Sequence, residues 1–123
     1  MKKITTMSEL ENFLSGFTGT EHYYKAMFNG VVFTDGIKAL ADSMACYWLI
    51  DAIVSYQGET AIKAEGFQIW TLTVKDDNSA ILTCKTDTNE PLLVSQMFDY
   101  TDFVVGELKL YCIDNVILLP SEY

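Results

Sequence analysis

The sequence has no arginine: all 8 of its basic residues are lysine, against 17 aspartates and glutamates, for a formal net charge of -9 at pH 7. Guanidinium is the usual two-pronged partner of phosphate and carboxylate, so a phosphate site here has to use backbone N–H groups, lysine or a metal ion. The charge balance argues against direct binding of nucleic acid or of an anionic membrane. Histidine occurs once, as His22, which leaves a catalytic triad or a zinc site with a single anchor. No G-x-G-x-x-G, G-x-x-x-x-G-K or G-x-S-x-G string is present, so dinucleotide, P-loop and nucleophile-elbow chemistry lack their signatures. The three cysteines, Cys46, Cys84 and Cys112, show no C-x-x-C spacing and each lies in an apolar stretch. They read as buried, reduced thiols of a cytoplasmic protein. After Lys2 and Lys3 the chain turns polar, so no secretory leader is expected. The longest apolar run, Met44 to Ile50, stops at Asp51, short of the ~18 residues a membrane helix needs.

What is present describes a folded chain. Of 123 residues, 50% are hydrophobic and 13% aromatic, with only 2 prolines. That supports one domain over residues 1–123 with a core of its own. Ser8 and Glu11 form an S-x-x-E capping box for a helix over Ser8–Ser15, with Leu10, Phe13 and Leu14 on one face. His22–Phe28 and Val31–Thr34 flank Asn29-Gly30, the strongest short hairpin signal, because both turn positions need positive φ. Thr34 or Asp35 then caps a long helix over Gly36–Gln57, with a break near Asp42-Ser43 allowed. Its second half is apolar nearly all round, the mark of a buried central helix. From Phe67 the pattern alternates, with strands over Phe67–Lys75, Ala80–Thr86, Leu92–Asp99, Glu107–Ile113 and Val116–Leu119, separated by turn residues. The expected fold is α+β: an antiparallel meander of about five strands, covered by the long helix and preceded by a helix and a hairpin. Whether the hairpin joins the main sheet is left open by the pattern.

Several stretches carry a family likeness: Phe17–Tyr24, Thr34–Ala41, Tyr47–Gln57, Phe67–Leu72, Tyr100–Phe103 and Leu118–Tyr123. Together they resemble a family of small uncharacterised proteins of bacteria, plasmids and phages, classed as a domain of unknown function. The resemblance implies no activity or site. It implies a mobile-element accessory protein, with an anti-defence or regulatory role exerted on a host or element-encoded protein.

Asp51 is the most informative candidate, because a carboxylate inside an apolar helix must find a partner, shift its pKa or face solvent. Tyr47 and Trp48 share its helical face. With Tyr56, Gln57 and Trp70 they suggest a pocket between helix and sheet for a planar small molecule. The competing account makes Asp51 structural or solvated, Trp70 core, and Gln57 and Gln68 backbone partners at the helix end. Tyr23 and Tyr24, with Phe28 and Phe33, mark the hairpin either as a partner-binding surface, since tyrosine suits interfaces that are apolar at one end and wet at the other, or as a face that packs in part on the first helix. The same hairpin edge is suited to pairing with a second copy. Asp35 reads as a helix cap, and Asp99 with Asp102 carries no metal-ligand spacing. No catalytic residue, metal or cofactor is expected. The leading expectation is therefore a small acidic, non-catalytic interaction protein. The alternative is a small-molecule binder or sensor using Tyr47, Asp51, Tyr56, Gln57 and Trp70.

Overall fold

A computed structural model describes residues 4–123. Helix α1, Met7–Leu14, opens with a capping box. The Thr6 hydroxyl accepts the Glu9 N–H at 3.2 Å and the Glu9 carboxylate accepts the Thr6 N–H at 3.1 Å. The box lies two residues before the expected Ser8–Glu11 pair. The earlier start places Met7 on Gly106, where a Cβ would lie 3.0 Å from the Met7 side chain. Strands β1, Tyr23–Lys25, and β2, Val32–Thr34, form the early hairpin, and Asn29 and Gly30 both take positive φ, 63° and 68°.

The long helix is split just past the break allowed near Asp42-Ser43, into α2 at Asp35–Met44 and α3 at Tyr47–Tyr56, followed by the short α4 at Thr60–Lys63. The break falls at Ala45, whose φ of 51° is left-handed. A left-handed alanine costs about 1–2 kcal/mol, and no glycine or proline marks the spot. The break folds α3 back, so that Leu49, Ile50, Ile53 and Val54 enter the core that also holds Ile37 and Leu40 of α2. Each such burial stabilises by about 1.5–3 kcal/mol, which outweighs the strain. Thr34 caps α2 through the Ile37 N–H, and Asp35 is the first helical residue rather than the cap. The Glu122 carboxylate reinforces this helix start, accepting from the Thr34 hydroxyl at 2.6 Å and the Gly36 N–H at 3.2 Å. A Cβ on Gly36 would meet Glu122 Oε1 at 2.6 Å. Only glycine admits the carboxylate there.

The sheet also departs from the expected meander. Strands β3 Phe67–Val74, β4 Ala80–Lys85, β5 Val94–Phe98, β6 Gly106–Ile113 and β7 Val116–Leu118 join β1 and β2 in one seven-stranded sheet of order β1-β2-β7-β6-β3-β4-β5. Strand β6 pairs with β3, not with β5. Residues 99–105 carry the chain past the end of the β3–β4 hairpin, tied there by Thr101 N–H to the Asn78 carbonyl at 2.8 Å. Phe103 and Val104 are buried on the way. Because β5 and β3 run in the same direction, β6 is antiparallel to either, and the strand pattern does not discriminate between them. The early hairpin joins the sheet through a parallel β2–β7 pair, which makes the sheet mixed.

Along β3 the odd and even residues alternate between half-buried and buried. Gln68, Trp70, Leu72 and Val74 form the covered face with Ala80, Leu82, Cys84, Leu108, Leu110 and Cys112. Helix α3 lies on that face: Tyr56 packs on Trp70 with ring centroids 5.5 Å apart, and Trp48 meets Phe98 edge-on at 5.3 Å. Among the described residues, no helix is long and apolar enough to cross a membrane.

Candidate functional site

Helix α3 presents three stripes. Leu49, Ile50, Ile53, Val54 and Gln57 are buried, Trp48, Ala52 and Tyr56 are half-buried, and Tyr47, Asp51 and Ser55 are exposed. The middle stripe follows i, i+4, i+8 spacing, which aligns side chains along one flank of a helix. That flank runs beside β5, the last strand of the sheet. Tyr56 donates its hydroxyl to Gln96 Oε1 at 2.8 Å and Trp48 abuts Phe98, so the seam between α3 and β5 is closed at both ends. Beyond Phe98 it opens into a cleft of about 430 Å³ lined by Trp48, Phe98, Tyr100, Thr101 and Asp102. Phe103 N–H donates to the Thr101 hydroxyl at 3.1 Å, which fixes the cleft's floor.

Strand β5 has no neighbour on its outer side. Its five residues, Val94-Ser-Gln-Met-Phe98, hold no charge and no proline. Met97 is 71% exposed, Tyr100 69%, Leu92 49% and Leu93 41%. Exposed strand edges are usually blunted by lysine, proline, bulges or brevity. The opposite edge obeys that rule: β1 has three residues and ends in Lys25.

The residues singled out from the sequence divide between two places. Gln57 and Trp70 are buried at 1% exposure and Gln68 at 2%. The two amides face each other, with Gln57 Nε2 donating to Gln68 Oε1 at 2.7 Å and Gln68 Nε2 donating to Gln57 Oε1 at 3.0 Å. Gln68 Oε1 also accepts Trp70 Nε1–H at 2.9 Å, and its Nε2 donates to the Ile62 and Glu65 carbonyls. The polar groups proposed for a planar ligand are thus spent on one another and on the backbone around α4. Asp51 and Tyr47 are not in this cluster. Asp51 faces solvent on the outer side of α3, and the Tyr47 hydroxyl donates to Asp42, which also binds Lys38 at 2.9 Å. Helix α3 is buried along one side only, so an acidic residue inside an apolar string reaches water directly.

Of the two hairpin tyrosines, Tyr23 is 60% exposed. Tyr24 turns inward, stacked on Phe33 at 5.7 Å and donating to Asp35 at 3.0 Å. That bond raises the Tyr24 pKa. Asp35 is held below the usual carboxylate range, first by the Glu21 N–H at 2.9 Å and then by the Tyr24 hydroxyl and the His22 N–H. All its partners belong to the junction between β1 and α2, so it fastens the hairpin to the helix. The thiols of Cys46, Cys84 and Cys112 are free, buried and pushed up to about 12 by desolvation, which leaves them protonated and unreactive. Among the described residues no group of three or more His, Cys, Asp or Glu is placed to hold a metal ion.

Comparison with known proteins places the chain in a family. Residues 8–123 match the family of unknown function DUF6876. The chain belongs to that family. No curated protein and no solved structure matches it. The β5 edge and its cleft were missed by reading the sequence, although two signals were there. One is a five-residue strand without a charge or proline, and the other is the Trp48–Ala52–Tyr56 spacing.

Proposed function

We propose that this chain is a small, acidic, non-catalytic interaction protein that holds another protein through the free edge of β5 and the adjoining cleft. The observation that carries the reading is the unguarded edge, with Leu92, Leu93, Met97 and Tyr100 exposed on and around it, whereas the opposite edge is short and ends in lysine. Strand addition gives affinity through main-chain hydrogen bonds, and pockets beside the strand give specificity. The cleft at Trp48 and Phe98 is such a pocket. The same reading keeps the protein in the cytoplasm, supported by three thiols that form no disulfide. It also accommodates an accessory role against a host or element-encoded partner, for which the support is the acidic surface and the lack of a catalytic motif. Tyr23, exposed on the hairpin, belongs to a second contact area in this reading.

A photo-crosslinking residue at Met97, in cells that express the protein naturally, tests the proposal. We expect one adduct of defined mass from position 97, none from Lys63 on α4, and loss of the adduct when Leu93→Glu is added. No adduct at 97, or equal adducts at both positions, would refute it.

A further inference from the structure

Resting on the β5-edge reading, we infer the chemistry of the occupant: an extended, positively charged segment of another protein, with one apolar side chain at its centre. Charge carries the argument. Asp102 lines the cleft, the exposed Asp99 lies between Phe98 and Tyr100 of its lining in sequence, and Asp51 stands one turn from Trp48 on the outer side of α3. None of these three carboxylates is ion-paired among the described residues. A strand laid along β5 and running past Phe98 therefore brings its flanking side chains to an acidic rim, in a protein whose formal charge is -9. Like charges in that position cost several-fold in affinity and opposite charges raise the association rate.

The same charge disfavours the other ready occupant. Two copies paired edge to edge along β5 would bring two net charges of -9 together, and nothing in the Val94–Phe98 strand offsets that repulsion. The apolar centre follows from the cleft. At about 430 Å³ with Trp48, Phe98 and Tyr100 around it, it has room for an aromatic or large aliphatic side chain, and ring faces also attract a neighbouring ammonium or guanidinium group.

Two synthetic peptides decide the matter with the intact protein. One is Lys-Val-Lys-Val-Phe-Val-Lys-Val-Lys and the other has glutamate at the four lysine positions. Binding is followed by NMR titration and by amide hydrogen exchange along β5. The lysine peptide is expected to slow exchange at Ser95–Phe98, to bind at least about tenfold more tightly than the glutamate peptide, and to weaken about tenfold between low and high salt. Asp99→Asn with Asp102→Asn is expected to shrink the preference, while a far substitution, Glu59→Gln, leaves it unchanged. Equal affinity of the two peptides at β5 would overturn the charge inference and leave the edge reading standing. Failure of both peptides, with an adduct still formed at Met97, would overturn strand addition by a basic segment. Failure of both peptides and of the crosslink would remove the underlying reading as well. A concentration-dependent dimer joined through β5 would replace the basic segment with a second copy.

Discussion

Replacing Gln68 with leucine tests the account of the core directly. The side chains are close in volume, so the change removes polarity more than packing. Gln68 makes five hydrogen bonds: it accepts from Gln57 and Trp70, and donates to Gln57, Ile62 and Glu65. Without it the Trp70 Nε1–H and Gln57 Oε1 lose their partners in a region where both residues are 1% exposed. The Ile62 carbonyl keeps the Glu65 N–H at 3.0 Å, Gln57 Nε2 keeps the Ile53 carbonyl at 3.3 Å, and the Glu65 carbonyl, on a half-buried residue, exchanges the amide for water. Two orphaned groups at about 1–3 kcal/mol each, less a gain from the added apolar surface, give a net loss of about 3 kcal/mol. For a domain of this size that lowers Tm by about 10 °C. Gln57→Leu is milder, about 1 kcal/mol, because Gln68 keeps Trp70 and both carbonyls. The double variant restores part of the Gln68→Leu loss, since the orphaned Gln57 Oε1 disappears with its residue. The cycle should show a coupling of about 1–2 kcal/mol. Urea unfolding followed by tryptophan fluorescence measures all three variants. A Gln68→Leu loss below about 1 kcal/mol, or strict additivity of the pair, would refute the picture of a closed amide network.

Ala45→Gly should stabilise the protein by about 0.5–1 kcal/mol in the same urea assay, because relief of left-handed strain exceeds the added chain entropy; a loss would mean that Ala45 is not strained. Asp35 is held below the ordinary carboxylate range in the folded state, so it favours folding above about pH 3.9 and that contribution is lost as pH falls. Acid unfolding of Asp35→Asn should accordingly show a shallower pH dependence, and an unchanged acid limb would count against the hairpin-to-helix fastening. With thiols pushed up to about 12, an alkylating reagent at pH 8 should leave all three cysteines unmodified until urea unfolds the chain, as read by intact mass. Prompt labelling of the native protein would contradict their burial.

Local chemistry was readable from the residues alone. The Asn29-Gly30 turn, the alternation of Phe67–Val74, a helix cap at Thr34 or Asp35 and the burial of three thiols all depend on neighbours in sequence. So does the absence of nucleotide and nucleophile signatures. The capping box, by contrast, lies on Thr6 and Glu9, two residues before the expected Ser8 and Glu11. What went astray depends on residues distant in sequence. Ala45 carries no breaker signal; the chain turns there because burying the apolar side of α3 outweighs one left-handed residue. Strand β6 leaves β5 for β3 because both offer the same direction, and the choice rests on Phe103, Val104 and the Thr101–Asn78 bond. The candidate site divided for the same reason. Asp51 looked exceptional within an apolar string, yet one-sided burial of α3 sets it in water, and Gln57 and Gln68 found each other across 11 positions. The β5 edge exists only because strand order leaves that strand outermost. Composition and pattern determined the charge, the chemistry that charge disfavours and the strands themselves; pairing order alone decided which strand, and which aromatic cleft, lies at the free edge of the sheet.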